Sequence, residues 1–134
     1  MVEATVKWTQ QLEFDGEAGT GHVVTVDGDS KTGNSPMELV LIALCGCTAY
    51  DVVRILQKKR EPFTAIEVSA QADKAPAAPR VYSAIRLIYR IAGEGSRKAA
   101  EDAVRLSEQK YCSVSAMLKK TAHITYEIQL DSHG

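Results

Sequence analysis

From Leu39 to Tyr50 the chain runs twelve residues without a charged side chain. The segment before it, Gly33-Asn34-Ser35-Pro36-Met37-Glu38, carries the signals of a helix start. Ser35 can cap, Pro36 suits the first helical position, and Glu38 completes a Ser-x-x-Glu capping box. After Asp51 and Arg54 the pattern turns amphipathic. Lys58-Lys59-Arg60 suits the negative end of the helix dipole, and Pro62 stops the helix. A helix that is apolar all round must be buried. At about 1.5 Å per residue it spans roughly 35 Å, enough to cross a small domain. Its charge-free run is shorter than the roughly 20 residues of a membrane span, so no membrane partner is expected. In a chain of 134 residues, one small sheet covers only one side of such a helix. A second copy can cover the other side. We therefore expect a homodimer with the Pro36–Arg60 helix in its interface.

Around this helix the periodicity alternates as strands do. Thr5 to Phe14 reads as a strand, 15–21 as a turn, and His22 to Val26 as a partner strand. Thr64 to Asp73 and Val81 to Ile91 read as an antiparallel pair; Val81, Ile85, Leu87, Tyr89 and Ile91 lie on one side. Ser96 caps a second helix through Lys110, with Ala100, Ala103, Val104 and Leu106 as its buried stripe. A short helix follows to Lys119, and Thr121 to Leu130 closes as a strand. The order β-β-α-β-β-α-α-β predicts an α+β fold, mostly antiparallel, as one domain over residues 1–134. Sixteen basic against seventeen acidic residues leave a net charge of −1, which argues against a nucleic-acid partner. The first eleven residues carry Glu3 and Lys7 and no apolar run, so no signal peptide is expected and the default location is cytoplasmic.

Three cysteines cannot all pair within one chain, which suits a reducing compartment. Cys45 and Cys47 stand about 200° apart around a helix and cannot bridge each other. Cys45 reads as a small buried hydrophobe. Cys112 follows a helix end and precedes an expected N-cap, Ser113, where the dipole favours a thiolate. Asp51 lies one turn beyond Cys47 and Arg54 two turns. The carboxylate opposes a thiolate there and the guanidinium supports one, unless the two pair together. Cys45-Gly46-Cys47 is not a metal knuckle, and His22, His123 and His133 are scattered, so no metal site and no cofactor are expected.

The run Asn34-Ser35-Pro36-Met37-Glu38-Leu39, the pair Cys47-Thr48, Val52-Val53-Arg54-Ile55-Leu56, Pro79-Arg80-Val81-Tyr82 and Tyr111-Cys112-Ser113-Val114-Ser115 carry a resemblance. Together they resemble the OsmC/Ohr family of osmotically induced and organic hydroperoxide resistance proteins. The resemblance covers nearly the whole chain and implies an intertwined α+β homodimer with long helices at its centre. It also implies a thiol peroxidase, an antioxidant oxidoreductase of oxidative stress. Cys47 would attack the peroxide and become a sulfenic acid, and Cys112 would condense with it to a disulfide. A dithiol, often a lipoyl-bearing protein in the family, would restore both thiols. An apolar pocket would favour organic hydroperoxides.

Two positions depart from the family's pattern. The characterised hydroperoxide reductases place a glutamate directly after the proline, where it orients an arginine from the N-terminal region. Here Met37 holds that position, Glu38 comes one residue later, and no arginine precedes Arg54. The capping box accounts for Glu38. Arg54, or Arg80 of the partner subunit, is then the candidate to activate Cys47, with Asp51 beside it. The alternative to the peroxidase is a non-catalytic protein of the same fold that holds an apolar ligand or senses thiol redox state.

Overall fold

The computed structural model describes residues 1–131. It divides into two compact units, one ending at Ile42 and the other beginning at Ala43. The α+β class follows from the sequence pattern; the element order is β-β-β-α-β-β-α-α-β, one strand richer than expected.

In the first unit, β1 (Ala4–Gln10), β2 (Glu13–Ala18) and β3 (Val23–Asp27) form an antiparallel sheet in that order. The expected single strand from Thr5 to Phe14 is thus broken, and half of the expected turn is strand. The cause is local. Gln11 takes a left-handed φ of 46°. The Trp8 indole N–H donates to the Gln11 carbonyl oxygen at 2.7 Å, closing a tight reversal. Gly16, read as a turn residue, lies buried in mid-strand, where a Cβ would meet the Val24 and Val26 side chains at 3.4 and 3.6 Å.

Asp27 ends β3 and organises the loop that follows. Its Oδ1 accepts from the Asp29 N–H at 2.8 Å, and its Oδ2 from the Thr32 and Lys31 N–H groups at 2.9 and 3.2 Å. These donors hold the carboxyl down at about 2. The loop leads into α1 (Pro36–Lys58) through the expected capping box. The Ser35 N–H donates to Glu38 Oε1 at 2.8 Å, and the Glu38 N–H donates to Ser35 Oγ at 3.2 Å. Ser30 Oγ also donates to Glu38 at 2.6 Å.

In the second unit, β4 (Phe63–Lys74), β5 (Tyr82–Gly93) and β6 (His123–Asp131) form a sheet in that order. β4 and β5 pair antiparallel as expected, while β5 and β6 pair parallel. A parallel neighbour needs a crossover connection. Here it is α2 (Arg97–Leu106), a π-helical turn (Ser107–Tyr111) and α3 (Ser113–Leu118). Ser96 caps α2 as expected, its Oγ accepting from the Ala99 N–H at 3.1 Å. The α-helical part stops at Leu106, not at Lys110. There the ladder widens, and the Cys112 N–H donates five residues back to the Ser107 carbonyl at 2.8 Å.

The core centres on β5, whose Ile85, Leu87, Tyr89 and Ile91 are buried on one face; Val81, expected with them, is exposed. Ala99, Ala100, Ala103 and Val104 of α2 and Leu44, Thr48, Val52 and Leu56 of α1 are buried as well. The α1 stripe repeats every four residues and covers only one side of the helix. Ile42 and Tyr50 are more than half exposed, at 52% and 60%. By length and composition alone α1 could cross a membrane, because an 18-residue stretch of it is strongly apolar on average and carries no more than two charged residues.

Replacing Asp27 by asparagine leaves the loop N–H groups with a weaker acceptor. The expected result is a lower thermal midpoint. In the parent, the carboxylate's contribution is present above the ordinary value of 3.8 and lost as the pH falls towards about 2. Thermal melts of parent and Asp27→Asn between pH 2 and 7 measure both effects.

Candidate active site

α1 projects Cys47, Thr48 and Asp51 from one stretch of its surface. One turn separates Cys47 from Asp51, so they share a face, with Thr48 beside them. The π-helical turn brings Ser107 and Glu108 inward and sets Cys112 at the N-cap of α3. Cys47 Sγ, Cys112 Sγ and a carboxylate oxygen of Asp51 all lie within 4.8 Å of one another. Cys112 is buried; Cys47 and Asp51 are partly exposed.

The cap of α3 is Cys112 itself, not Ser113 as expected. Its Sγ accepts from the Ser115 N–H at 3.3 Å. That bond supports a thiolate, but burial outweighs it, aided by the neighbouring Cys47 and the charge of Glu108. The Cys112 thiol is pushed up to about 12. The expectation of thiolate character at this helix start is therefore reversed. Desolvation of a thiolate costs more than one weak N–H···S bond and a single short helix return.

Behind the sulfurs lies a chain of short polar contacts. Asp51 Oδ2 lies 2.9 Å from Ser107 Oγ, Ser107 Oγ 2.8 Å from Thr48 Oγ1, and Thr48 Oγ1 2.6 Å from Tyr89 Oη. Tyr89 Oη continues to Glu108 Oε1 at 2.8 Å, and Ser115 Oγ donates to Glu108 Oε2 at 3.3 Å. Thr48, Ser107, Glu108 and Ser115 are all buried. Lys119 Nζ donates to the Glu108 carbonyl and sits 3.9 Å from Glu108 Oε2. Burial and the negative charge of Glu108 push the Tyr89 phenol well above its usual range.

Arg54 does not pair with Asp51; its guanidinium donates to Tyr50 Oη at 3.3 Å and lies 5.6 Å from that ring's centroid. Asp51 and Arg54 nevertheless line one cavity of about 360 Å³ with Ile55, Lys58, Leu106 and Tyr111. Arg80 lies exposed on the loop before β5, its Nε donating to the Ala75 carbonyl at 3.2 Å. Glu38 sits in the capping box described above. Cys45 is half-buried, its thiol raised by desolvation. Of the histidines, His22 lies just before β3 with its ring nitrogen 3.0 Å from Thr20 Oγ1, and His123 begins β6; His133 lies outside the described residues.

Pattern reading overlooked Thr48 as a functional group, together with Ser107, Glu108, Tyr89 and Ser115. One signal was available. Thr48 is the lone hydroxyl inside the charge-free run before Tyr50, and a buried hydroxyl demands a partner. Nothing in local spacing names that partner, because it arrives from β5 and from beyond α2.

The fold and this thiol-centred site define a class. The OsmC-like protein family matches residues 27–127, and the chain belongs to it. It is similar to Protein YhfA of Escherichia coli strain K12, with 42% identity over 131 residues that cover 96% of this chain and 98% of the relative. Among solved structures, a hypothetical protein from Aquifex aeolicus VF5 shares 31% identity and a TM-score of 0.85, with 98% of each chain covered. The organic hydroperoxide resistance protein OhrB of Bacillus subtilis shares the fold at 12% identity and a TM-score of 0.68, over 96% of this chain and 98% of that one.

Two measurements test the geometry. Between pH 7 and 9 Cys112 stays a thiol, so alkylation by iodoacetamide is expected to be slow there and to accelerate as the pH rises towards 12. Peptide mass spectrometry reads this residue by residue, and a Cys112 rate that levels off near pH 9 contradicts it. Tyr89→Phe strips a hydroxyl from buried Thr48 and Glu108. It is expected to cost about 1–3 kcal/mol in urea unfolding.

Proposed function

We propose that this protein is a cysteine-based peroxidase that reduces organic hydroperoxides, working as a homodimer with Cys47 as nucleophile and Cys112 as resolving thiol. The observation that carries this reading is the pair of sulfurs within 4.8 Å of each other and of Asp51. Family membership supports it.

The burial difference supports these roles. Cys112, pushed up to about 12, holds its proton at neutral pH and suits the second step. Cys47 is partly exposed and reachable. Its thiolate attacks the distal peroxide oxygen; an S–O bond forms, the O–O bond breaks, and the alkoxide leaves as the alcohol with one proton. Cys112 then attacks the sulfenic sulfur, forming S–S, breaking S–O and releasing water. A dithiol, of the lipoyl type, reduces the disulfide by exchange and is itself oxidised. Ile55, Leu106 and Tyr111 offer apolar wall to an alkyl group in the adjoining cavity, while Arg54 and Lys58 stand over it. Arg54, engaged with the Tyr50 hydroxyl and ring, is the candidate for an activating arginine. Arg80 and Glu38 serve in this reading as loop and cap residues.

The dimer is supported by apolar surface that one chain leaves open. Val6, Trp8, Val23 and Val24 of the first sheet are exposed, as are Ile42 and Tyr50 of α1. Val6, Trp8 and Val24 share one face of that sheet, and exposed apolar residues grouped on one face suit an interface. The three free thiols suit a reducing cytoplasm.

Cumene hydroperoxide consumption with dihydrolipoamide tests the reading. Cys47→Ser is expected to abolish turnover, and Cys112→Ser to stop multiple turnovers while leaving a trapped sulfenic acid. If Cys47→Ser consumes peroxide at the parental rate, the peroxidase reading is wrong and a ligand-binding role takes its place. Light scattering at low micromolar concentration is expected to give the mass of two chains.

A further inference from the structure

The contacts behind the sulfurs do not balance if both carboxyls are ionised. Four links join Asp51, Ser107, Thr48, Tyr89 and Glu108 at 2.9, 2.8, 2.6 and 2.8 Å. Each link needs one proton between its oxygens. A hydroxyl brings one proton, and an ionised carboxylate brings none. The three hydroxyls therefore supply three protons to four links. Ser115 cannot lend its own, which points at the other oxygen of Glu108. With both carboxylates charged, one pair of buried oxygens would face each other at hydrogen-bond distance with nothing between them. Such a contact is repulsive in a buried site.

We propose that Asp51 and Glu108 share one additional proton, and that the chain Ser107–Thr48–Tyr89 relays it between them. Lys119, 3.9 Å from Glu108 Oε2, decides where the proton rests. Its ammonium favours the anionic form of Glu108, as do the hydroxyls of Tyr89 and Ser115. The proton therefore rests on Asp51. All four links then run one way: Asp51 donates to Ser107, Ser107 to Thr48, Thr48 to Tyr89, and Tyr89 to Glu108. Every oxygen in the chain is satisfied.

The consequence for chemistry rests on the peroxidase reading above. A neutral Asp51 beside both sulfurs is an acid for the departing oxygen. When Cys112 attacks the Cys47 sulfenic acid, S–S forms, S–O breaks and the hydroxide leaves as water with Asp51's proton. The Cys112 thiol proton passes to Glu108, which Ser115 ties to the same helix start: the Ser115 N–H donates to Cys112 Sγ at 3.3 Å and the Ser115 Oγ to Glu108 Oε2 at 3.3 Å. The site now holds Glu108 protonated and Asp51 ionised. A shift along the chain resets it: each hydroxyl passes on one proton and receives one, and no electrons move. Asp51 is thus a catalytic residue, while Thr48, Ser107 and Tyr89 are its proton path. Thr48, next to Cys47 in sequence, is the single link between α1 and β5 in this path.

Infrared spectroscopy of the reduced protein at neutral pH reads the shared proton as a carboxylic acid C=O band that shifts in deuterium oxide. The band is expected in the parent and in Thr48→Ser. It is expected to vanish in Thr48→Val and in Ser107→Ala, because a broken chain no longer needs the fourth proton. Stopped-flow formation of the Cys47–Cys112 disulfide after one equivalent of peroxide is expected to slow about a hundredfold in Thr48→Val, and not in Thr48→Ser. No acid band in the parent overturns the shared proton. A band that persists in both chain-breaking variants, or a parental disulfide rate in Thr48→Val, overturns the relay. Should the parent show the band, and lose it on breaking the chain, yet form no disulfide with peroxide, the shared proton stands and the peroxidase reading falls.

Discussion

The hydroxyl of Thr48 is the point on which the second unit turns. α1 buries a stripe of Leu44, Thr48, Val52 and Leu56, and three of these four are pure hydrocarbon. A threonine in that stripe would cost stability unless its hydroxyl found partners. It finds two, Tyr89 on β5 and Ser107 at the start of the π-helical turn. Those contacts fix the rotation of α1 against the strand and hold the turn inward. Because the turn is held inward, Cys112 is carried to Cys47. The meeting of the two sulfurs thus depends on a polar bond inside an apolar stripe.

The π-helical turn is where α-helical regularity gives way to that requirement. An uninterrupted helix to Lys110 would rotate Ser107, Glu108 and Cys112 to different positions around the axis. One widened turn lets Ser107 and Glu108 face the core together and frees Cys112 to cap α3 with its own sulfur. The amphipathic pattern of the segment does not announce this. Ser107 and Glu108 look like solvent-facing residues at the end of a helix, and the structure buries both. Local propensity loses here to the satisfaction of buried polar groups, a conflict common at functional sites.

The same balance explains the cysteines. Composition and spacing cannot rank three thiols that all sit on or beside helices. Position relative to the helix dipole suggests an activated Cys112, but its burial removes the water that a thiolate would need, and the thiol is held protonated instead. In the first unit the error ran through a turn rather than a charge. Alternation from Val6 to Phe14 is continuous in the sequence because a two-residue reversal at Gln11-Leu12 preserves its parity. One strand and two strands therefore look alike until Trp8 is seen bonded to Gln11.

What the sequence determined by itself is the framework set by hydrophobic period and local capping: a long helix that starts at Ser35-Pro36, the β4–β5 antiparallel pair, the cap at Ser96, and the α+β class. These depend on neighbours three or four residues away, so they can be read along the chain. The tertiary structure alone decided the parallel pairing of β6, the widened turn, and the convergence of Cys47, Asp51 and Cys112 in front of a five-member polar chain. Those contacts join residues as much as 65 positions apart, as Cys47 and Cys112 are. Their energetics come from excluding water, and no residue records in advance which partner will remain when the water has gone.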